Sequence, residues 1–129
     1  MNQDQSPANG QRLGERRKHP RHYTDLPVDC CLIENKKKGP VHVGIAENAG
    51  IGGLSICLNQ RFPCGHDLII ELYYRDSYQF SSLKILTKVI WNSDQMEGSG
   101  FRHGLQVLRL EDGGSLKLRP LLKHCPVLS

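Results

Sequence analysis

Hydrophobic positions along this chain come in short alternating runs. "VHVGIA" sets Val41, Val43 and Ile45 on one face, and "GLSICLN" does the same with Leu54, Ile56 and Leu58. "DLIIELYY" aligns Leu68, Ile70, Leu72 and Tyr74. The longest run, Tyr78 to Asn92, opposes Leu83, Ile85, Thr87, Val89 and Trp91 to Lys84, Leu86, Lys88 and Ile90. "LPVDCCLIE", Leu26 to Glu34, precedes these runs. "FRHGLQVLRL", Phe101 to Leu110, closes the series with Phe101, Leu105 and Val107 inward. Period-two alternation predicts strands with one buried and one wet face. Turn-forming stretches separate them: "NKKKGP", "NAGIGG", "QRFPCGH" and "SDQMEGSG".

Six strands with short connections predict an all-β fold, a six-stranded antiparallel barrel over residues 26–110. The C-terminal stretch changes period. Leu118, Leu121, Leu122 and Cys125 stand at i, i+3, i+4 and i+7, which predicts a short C-terminal helix within 115–125, starting near 115 or 119. Such a helix would cover an opening of the barrel. Pro120 fits its first turn and not its interior. Residues 1–14 are polar and are expected to be a disordered tail.

Composition narrows the class. A chain of 129 residues is one domain with a modest core. No apolar run approaches the roughly 20 residues of a membrane span, and "MNQDQSPANGQ" has no apolar signal segment, so a cytoplasmic protein is expected. The five cysteines are odd in number, Cys30 and Cys31 are adjacent, and no C-x-x-C occurs. These features argue against a zinc site and a disulfide framework. The histidines are scattered, and His42 and His103 read as surface or satisfied core residues. No Ser-His-Asp arrangement or carboxylate pair marks acid–base chemistry, so a binding module without metal or cofactor is expected rather than an enzyme.

Charge is more specific in its placement than in its total. The net charge is +4, yet Arg12, Arg16, Arg17, Lys18 and Arg21 crowd one segment and Lys36, Lys37 and Lys38 form a second knot. A localised cation cluster suits a compact anion. A small barrel that binds single-stranded nucleic acid would show more aromatic residues than the 6% here, with its cations beside the strands. Lys36–Lys38 reads as a solvated hairpin turn and Trp91 as core or rim packing. In "NAGIGG", Asn48 to Gly53, the glycines permit positive φ and close approach of a ligand to the backbone. Without G-K-[ST] and a following helix it is no Walker loop.

Two segments gain specificity together. "ERRKHPR" holds R-x-x-x-R at Arg17 and Arg21, with Arg16 in front, and downstream comes Asn48 with Gly53 five positions on. This resembles the PilZ domain, the bacterial receptor module for cyclic di-GMP, whose pattern is (R)R-x-x-x-R followed by [D/N]-x-S-x-x-G. Gly52-Gly53-Leu54 and "VIWN…GSGFRHGLQV" fit the family too, and the likeness covers about residues 15–125, with an arginine arm at 15–22. The resemblance implies that Arg17 and Arg21 hold phosphate or guanine of cyclic di-GMP with Arg16 assisting. It also implies that Asn48 reads a guanine edge and that Gly53 shapes the turn. Arginine suits both tasks through its planar fork. Gly50 stands where the family has serine, a lost hydrogen bond of roughly 0.5–1.5 kcal/mol. The implied function is a stand-alone cyclic di-GMP receptor or adaptor that passes the signal to an unidentified effector protein, in motility, adhesion or biofilm control. The alternative is a PilZ-fold protein-interaction module that has lost nucleotide binding.

Overall fold

The alternating runs become six strands that close on themselves. The structure, a computed structural model, describes residues 20–93, 96, 98 and 100–127. In chain order the elements are β1 (His22–Glu34), β2 (Lys37–Ala49), β3 (Gly53–Leu58), β4 (Asp67–Asp76), β5 (Gln79–Asn92), β6 (Phe101–Leu110) and α1 (Gly114–Lys123). Every pairing is antiparallel, and the order β1-β2-β3-β6-β5-β4 returns from β4 to β1, leaving no open edge in the ring. The expected tail at 1–14, and Glu15 to His19 of the arginine arm, lie outside the described residues.

The interior is filled from inward rows of every strand. Val28 and Cys30 on β1, Ile56 and Leu58 on β3, and Leu68, Ile70 and Leu72 on β4 are buried. Leu83, Ile85 and Val89 on β5 and Leu105 on β6 join them. Each such side chain contributes about 1.5–3 kcal/mol relative to exposure. Burial also pushes the Cys30 thiol up to about 12, so this group is inert packing. No disulfide joins any of the five cysteines. Buried His103 is a satisfied core residue: its Nε2 accepts from the Phe62 amide at 2.9 Å, and its Nδ1 lies 3.1 Å from the Phe101 carbonyl oxygen.

Three expectations are corrected here. β2 is longer than Val41–Ala46 because Asn35 and Lys36 take φ of 52° and 64°, forming a tight two-residue turn that matches strand twist. The β2 face that looked like core is the wet one: Val41, Val43 and Ile45 are 60%, 64% and 42% exposed. The inward positions of β2 are His42, Gly44 and Ala46, paired with Cys30, Val28 and Leu26. They are small where Leu58 comes close, since a Cβ on Gly44 would lie 2.6 Å from its Cδ2. His42 instead packs edge-on against the buried Phe62, ring centroids 5.3 Å apart. The third correction is the grouping of Trp91 with the face of Leu83, Ile85, Thr87 and Val89: it is half-exposed. A register irregularity between Val89 and Trp91 breaks the alternation, leaving Ile90 and Trp91 both facing solvent.

Helix α1 closes one end of the barrel with Leu118 and Leu122 inward. Gly114 permits the approach: a Cβ there would sit 2.7 Å from Leu110 Cβ and 3.1 Å from Leu83 Cδ1. Pro120 lies inside the helix rather than in its first turn. It is on the exposed side, where the carbonyl it leaves without a helical donor belongs to the exposed Leu116. After α1 the chain returns to β1. The Tyr23 amide donates to Pro126 O at 2.8 Å, His22 Nδ1 lies 3.0 Å from Cys125 O, and His22 bridges Val127. Among the described residues, no helix is long and apolar enough to cross a membrane.

Candidate functional site

One outward row of residues runs in register across five neighbouring strands: Tyr23 on β1, Asn48 on β2, Ser55 on β3, Gly104 on β6 and Trp91 on β5. Its middle is small and its ends are aromatic. The result is a cleft of about 530 Å³ on the barrel wall, which Arg21, Glu47 and Arg102 also line. Gly104 is required for this shape, because a Cβ there would run into the Trp91 indole. The indole lies across Gly104 and presents an aromatic wall, while the Ser55 hydroxyl belongs to the floor.

Arg21 occupies the rim. Its Nη1 donates to Asn48 Oδ1 at 2.7 Å. Because Arg only donates, this contact fixes the Asn48 carboxamide with oxygen toward Arg21 and leaves its NH2 as a donor. Arg21 also lies over Gly53: a Cβ on Gly53 would be 3.0 Å from Arg21 Nη2 and 2.6 Å from Leu105 O. Gly50 is equally tight, its would-be Cβ 2.7 Å from Pro20 O and 3.1 Å from Arg21 Cδ. Neither glycine has a positive φ. Their role is close approach of the Pro20–Arg21 backbone and side chain, and the positive-φ reading does not hold for them. The loop is pinned by Gly50 N donating to Gly53 O at 2.8 Å and Val107 N donating to Gly52 O at 3.0 Å.

On the far wall Arg102 Nε pairs with Glu47 Oε1 at 3.1 Å, with Nη2 to Oε2 at 3.5 Å. Glu47 sits at a register irregularity between Ala46 and Asn48. Asp25, with φ of 48°, sits at another between Tyr23 and Leu26. Bulges of this kind re-aim side chains next to binding sites. The cleft thus offers guanidinium groups at two places, the Asp25 and Glu47 carboxylates, an aromatic face, a hydroxyl and an amide, which is the chemistry of a polar, flat ligand. Among the described residues, no group of three His, Cys, Asp or Glu side chains is placed to hold a metal.

Of the site residues expected from sequence, Arg21, Asn48, Gly50 and Gly53 come together at one rim. Arg16 and Arg17 lie outside the described residues. Tyr23, Ser55, Trp91, Arg102 and Gly104 were missed. Their signal was present in part: the outward positions of β3 and β6 nearest Asn48 are a serine and a glycine, and small residues in a strand interior mark close approach.

A family model of the PilZ domain matches residues 15–123. The inhibitor of motility MotI/DgrA from Bacillus subtilis has a similar structure, with TM-score 0.60 and 17% sequence identity over 85% of this chain. This chain spans about half of that protein, 49% of its length. The PilZ domain of YcgR from Escherichia coli, solved with c-di-GMP, is similar with TM-score 0.60 and 15% identity, over 85% of this chain and 91% of that one. No curated protein matches.

Proposed function

Because this chain belongs to the PilZ domain family, the receptor family for cyclic di-GMP, we propose that it binds cyclic di-GMP in the cleft beside Arg21 and passes the signal to a partner protein. The observation that carries this reading is the bond from Arg21 to Asn48, which joins two motif pieces 27 positions apart at the rim of the cleft. The YcgR domain of similar fold holds the same dinucleotide.

Each group then has a task. The Arg21 fork takes phosphate oxygens or the guanine O6/N7 edge. Trp91 offers a face for one guanine, worth roughly 1–3 kcal/mol for a stacked base. Asn48 reads a guanine edge, either by releasing its oxygen from Arg21 or by donating through its NH2. Ser55 supplies a hydroxyl to the floor where Gly50 has none. Arg16 and Arg17 add the second cationic arm. Binding wraps the arm over the ligand, which changes the surface a partner meets.

Calorimetry with cyclic di-GMP tests the reading. Heat of binding is expected for the wild type, and a loss of about 10-fold to 100-fold in affinity for Arg21→Ala, since a hydrogen bond to a charged group contributes about 1.5–3 kcal/mol. Asn48→Ala is expected to weaken binding in the same direction. Silence of the wild type at high ligand would leave the alternative, a PilZ-fold module that engages protein alone, which the missing hydroxyl at Gly50 favours. Binding that survives Arg17→Ala/Arg21→Ala would move the site elsewhere.

A further inference from the structure

The large apolar side chains most open to solvent among the described residues are Tyr78 at 95%, Phe80 at 86% and Leu116 at 81%. All three belong to the end of the barrel that α1 covers. Tyr78 and Phe80 sit in the β4–β5 hairpin and Leu116 on α1. Hairpin and helix form the walls of a groove of about 440 Å³, lined among others by Tyr74, Arg75, Ser77, Leu116 and Pro120.

Their heights agree. Lys117 Nζ donates to Ser82 O at 3.0 Å, which marks where the helix crosses the hairpin. From Ser82 to Gln79, where β5 begins, the strand climbs about 10 Å at about 3.3 Å per residue, and Tyr78 follows in the turn. A helix with its side chains is about 10–12 Å across. Hairpin tip and outer pole of α1 thus stand at similar heights above that crossing. On α1, at 3.6 residues per turn, Leu116 lies opposite the side that buries Leu118 and Leu122, and Arg119 and Lys123 share its face at i+3 and i+7.

Cations outnumber acids at this end, although Asp76 lines the groove itself. α1 holds Lys117, Arg119 and Lys123 and no acid. Arg75 lies over the Phe80 ring at 5.8 Å. Of the nearby acids, Glu111 is engaged by Lys117 at 3.5 Å and by the Lys84 amide at 2.8 Å, while Asp76 and Asp112 are exposed. Arg119 and Lys123 also flank Pro20 and His22, where the chain enters the fold directly after Arg16, Arg17 and Lys18 in sequence.

We infer that the α1 end of the barrel is a docking face for an anionic lipid surface, with Tyr78, Phe80 and Leu116 as apolar anchors and Arg119 and Lys123 as its cations. Separate protruding anchors flanked by cations suit a fluid surface that deforms around each of them, whereas a folded protein partner would need a contiguous patch. Apolar insertion and electrostatic attraction are the two signals that reversible membrane contact requires.

Co-sedimentation of the full chain with vesicles of phosphatidylcholine, with and without phosphatidylglycerol, tests this in the absence of nucleotide. Binding is expected only with phosphatidylglycerol and should weaken as salt rises. Tyr78→Ser/Phe80→Ser and Arg119→Glu/Lys123→Glu should each lower partitioning by about tenfold or more. All four positions are exposed, so melting curves like the wild type's are expected and keep a folding defect from mimicking the result. No preference for the anionic vesicles overturns the inference and leaves the face to a protein partner. Undiminished binding by the Tyr78/Phe80 variant also overturns it, since basic residues alone would then explain the attraction.

Discussion

At Gly50, a Cβ would stand 2.7 Å from the Pro20 carbonyl, so the missing serine is a matter of space as well as of a hydroxyl. Putting a side chain there requires the Pro20–Arg21 backbone to move off the loop. Gly50→Ser is therefore expected to cost roughly 1–3 kcal/mol of stability without ligand, as overpacking does elsewhere. Thermal melts check it, and an unchanged melting temperature would show that the arm gives way freely. Gly104 acts on the other wall. Gly104→Ala must displace the indole of Trp91, the chain's one tryptophan, so its emission reports the site directly. Cyclic di-GMP is expected to quench that emission in the wild type, and Gly104→Ala is expected to change the spectrum before any ligand is added. Ser55→Ala should weaken ligand binding by up to about tenfold, the worth of one neutral hydrogen bond.

Elements show which physical rules local pattern captures. The ring of six strands was legible because large apolar residues recur at every second position of the inward rows of β3, β4 and β5. β2 misled because its large residues face out and its inward positions are His42, Gly44 and Ala46, small where β3 crowds the interior. Trp91 misled because the register irregularity that turns it outward depends on pairing with β6, which no local pattern in β5 encodes. The site was legible only through Arg21, Asn48, Gly50 and Gly53, which resemble a known motif. The row from Tyr23 to Trp91 exists only once five strands are in register. Pro120 is the clearest case of tertiary packing overriding propensity: burial of Leu118 and Leu122 holds a helix through a proline worth about 3 kcal/mol against it. Pro120→Ala restores the donor and is expected to raise stability by about 1 kcal/mol or more, with part of the gain lost to a freer unfolded chain. Chemical denaturation checks it; a lower midpoint would mean that the proline ring packs usefully against the groove.

Among the described residues, His103 is a histidine sealed in the barrel interior, and that group ties barrel stability to pH. His103 is fully buried on β6, and its Nε2 is the acceptor for the Phe62 amide. Only the neutral ring with its proton on Nδ1 can accept there and donate to Phe101 O. Burial holds the His103 pKa below its usual value, with Arg61 acting in the same direction and the Phe101 carbonyl opposing both. Stability that depends on the neutral ring is therefore complete above the ordinary histidine pKa of about 6.5. It is lost as pH falls from there toward the lower folded value, because the unfolded chain takes up the proton first. Phe62 and His103 lie on the connector and strand beside Leu58 and Arg102, so the loss should act on the closure of the ring, and with it on the cleft wall that carries Gly104. His103→Gln keeps an acceptor for the Phe62 amide and cannot titrate in this range. Denaturation midpoints from about pH 7.5 to about pH 5, roughly one unit above to one and a half units below the ordinary histidine value, should fall more steeply for the wild type than for the variant. Parallel slopes would mean that the ring is protonated in place and that the seal is looser than its burial implies.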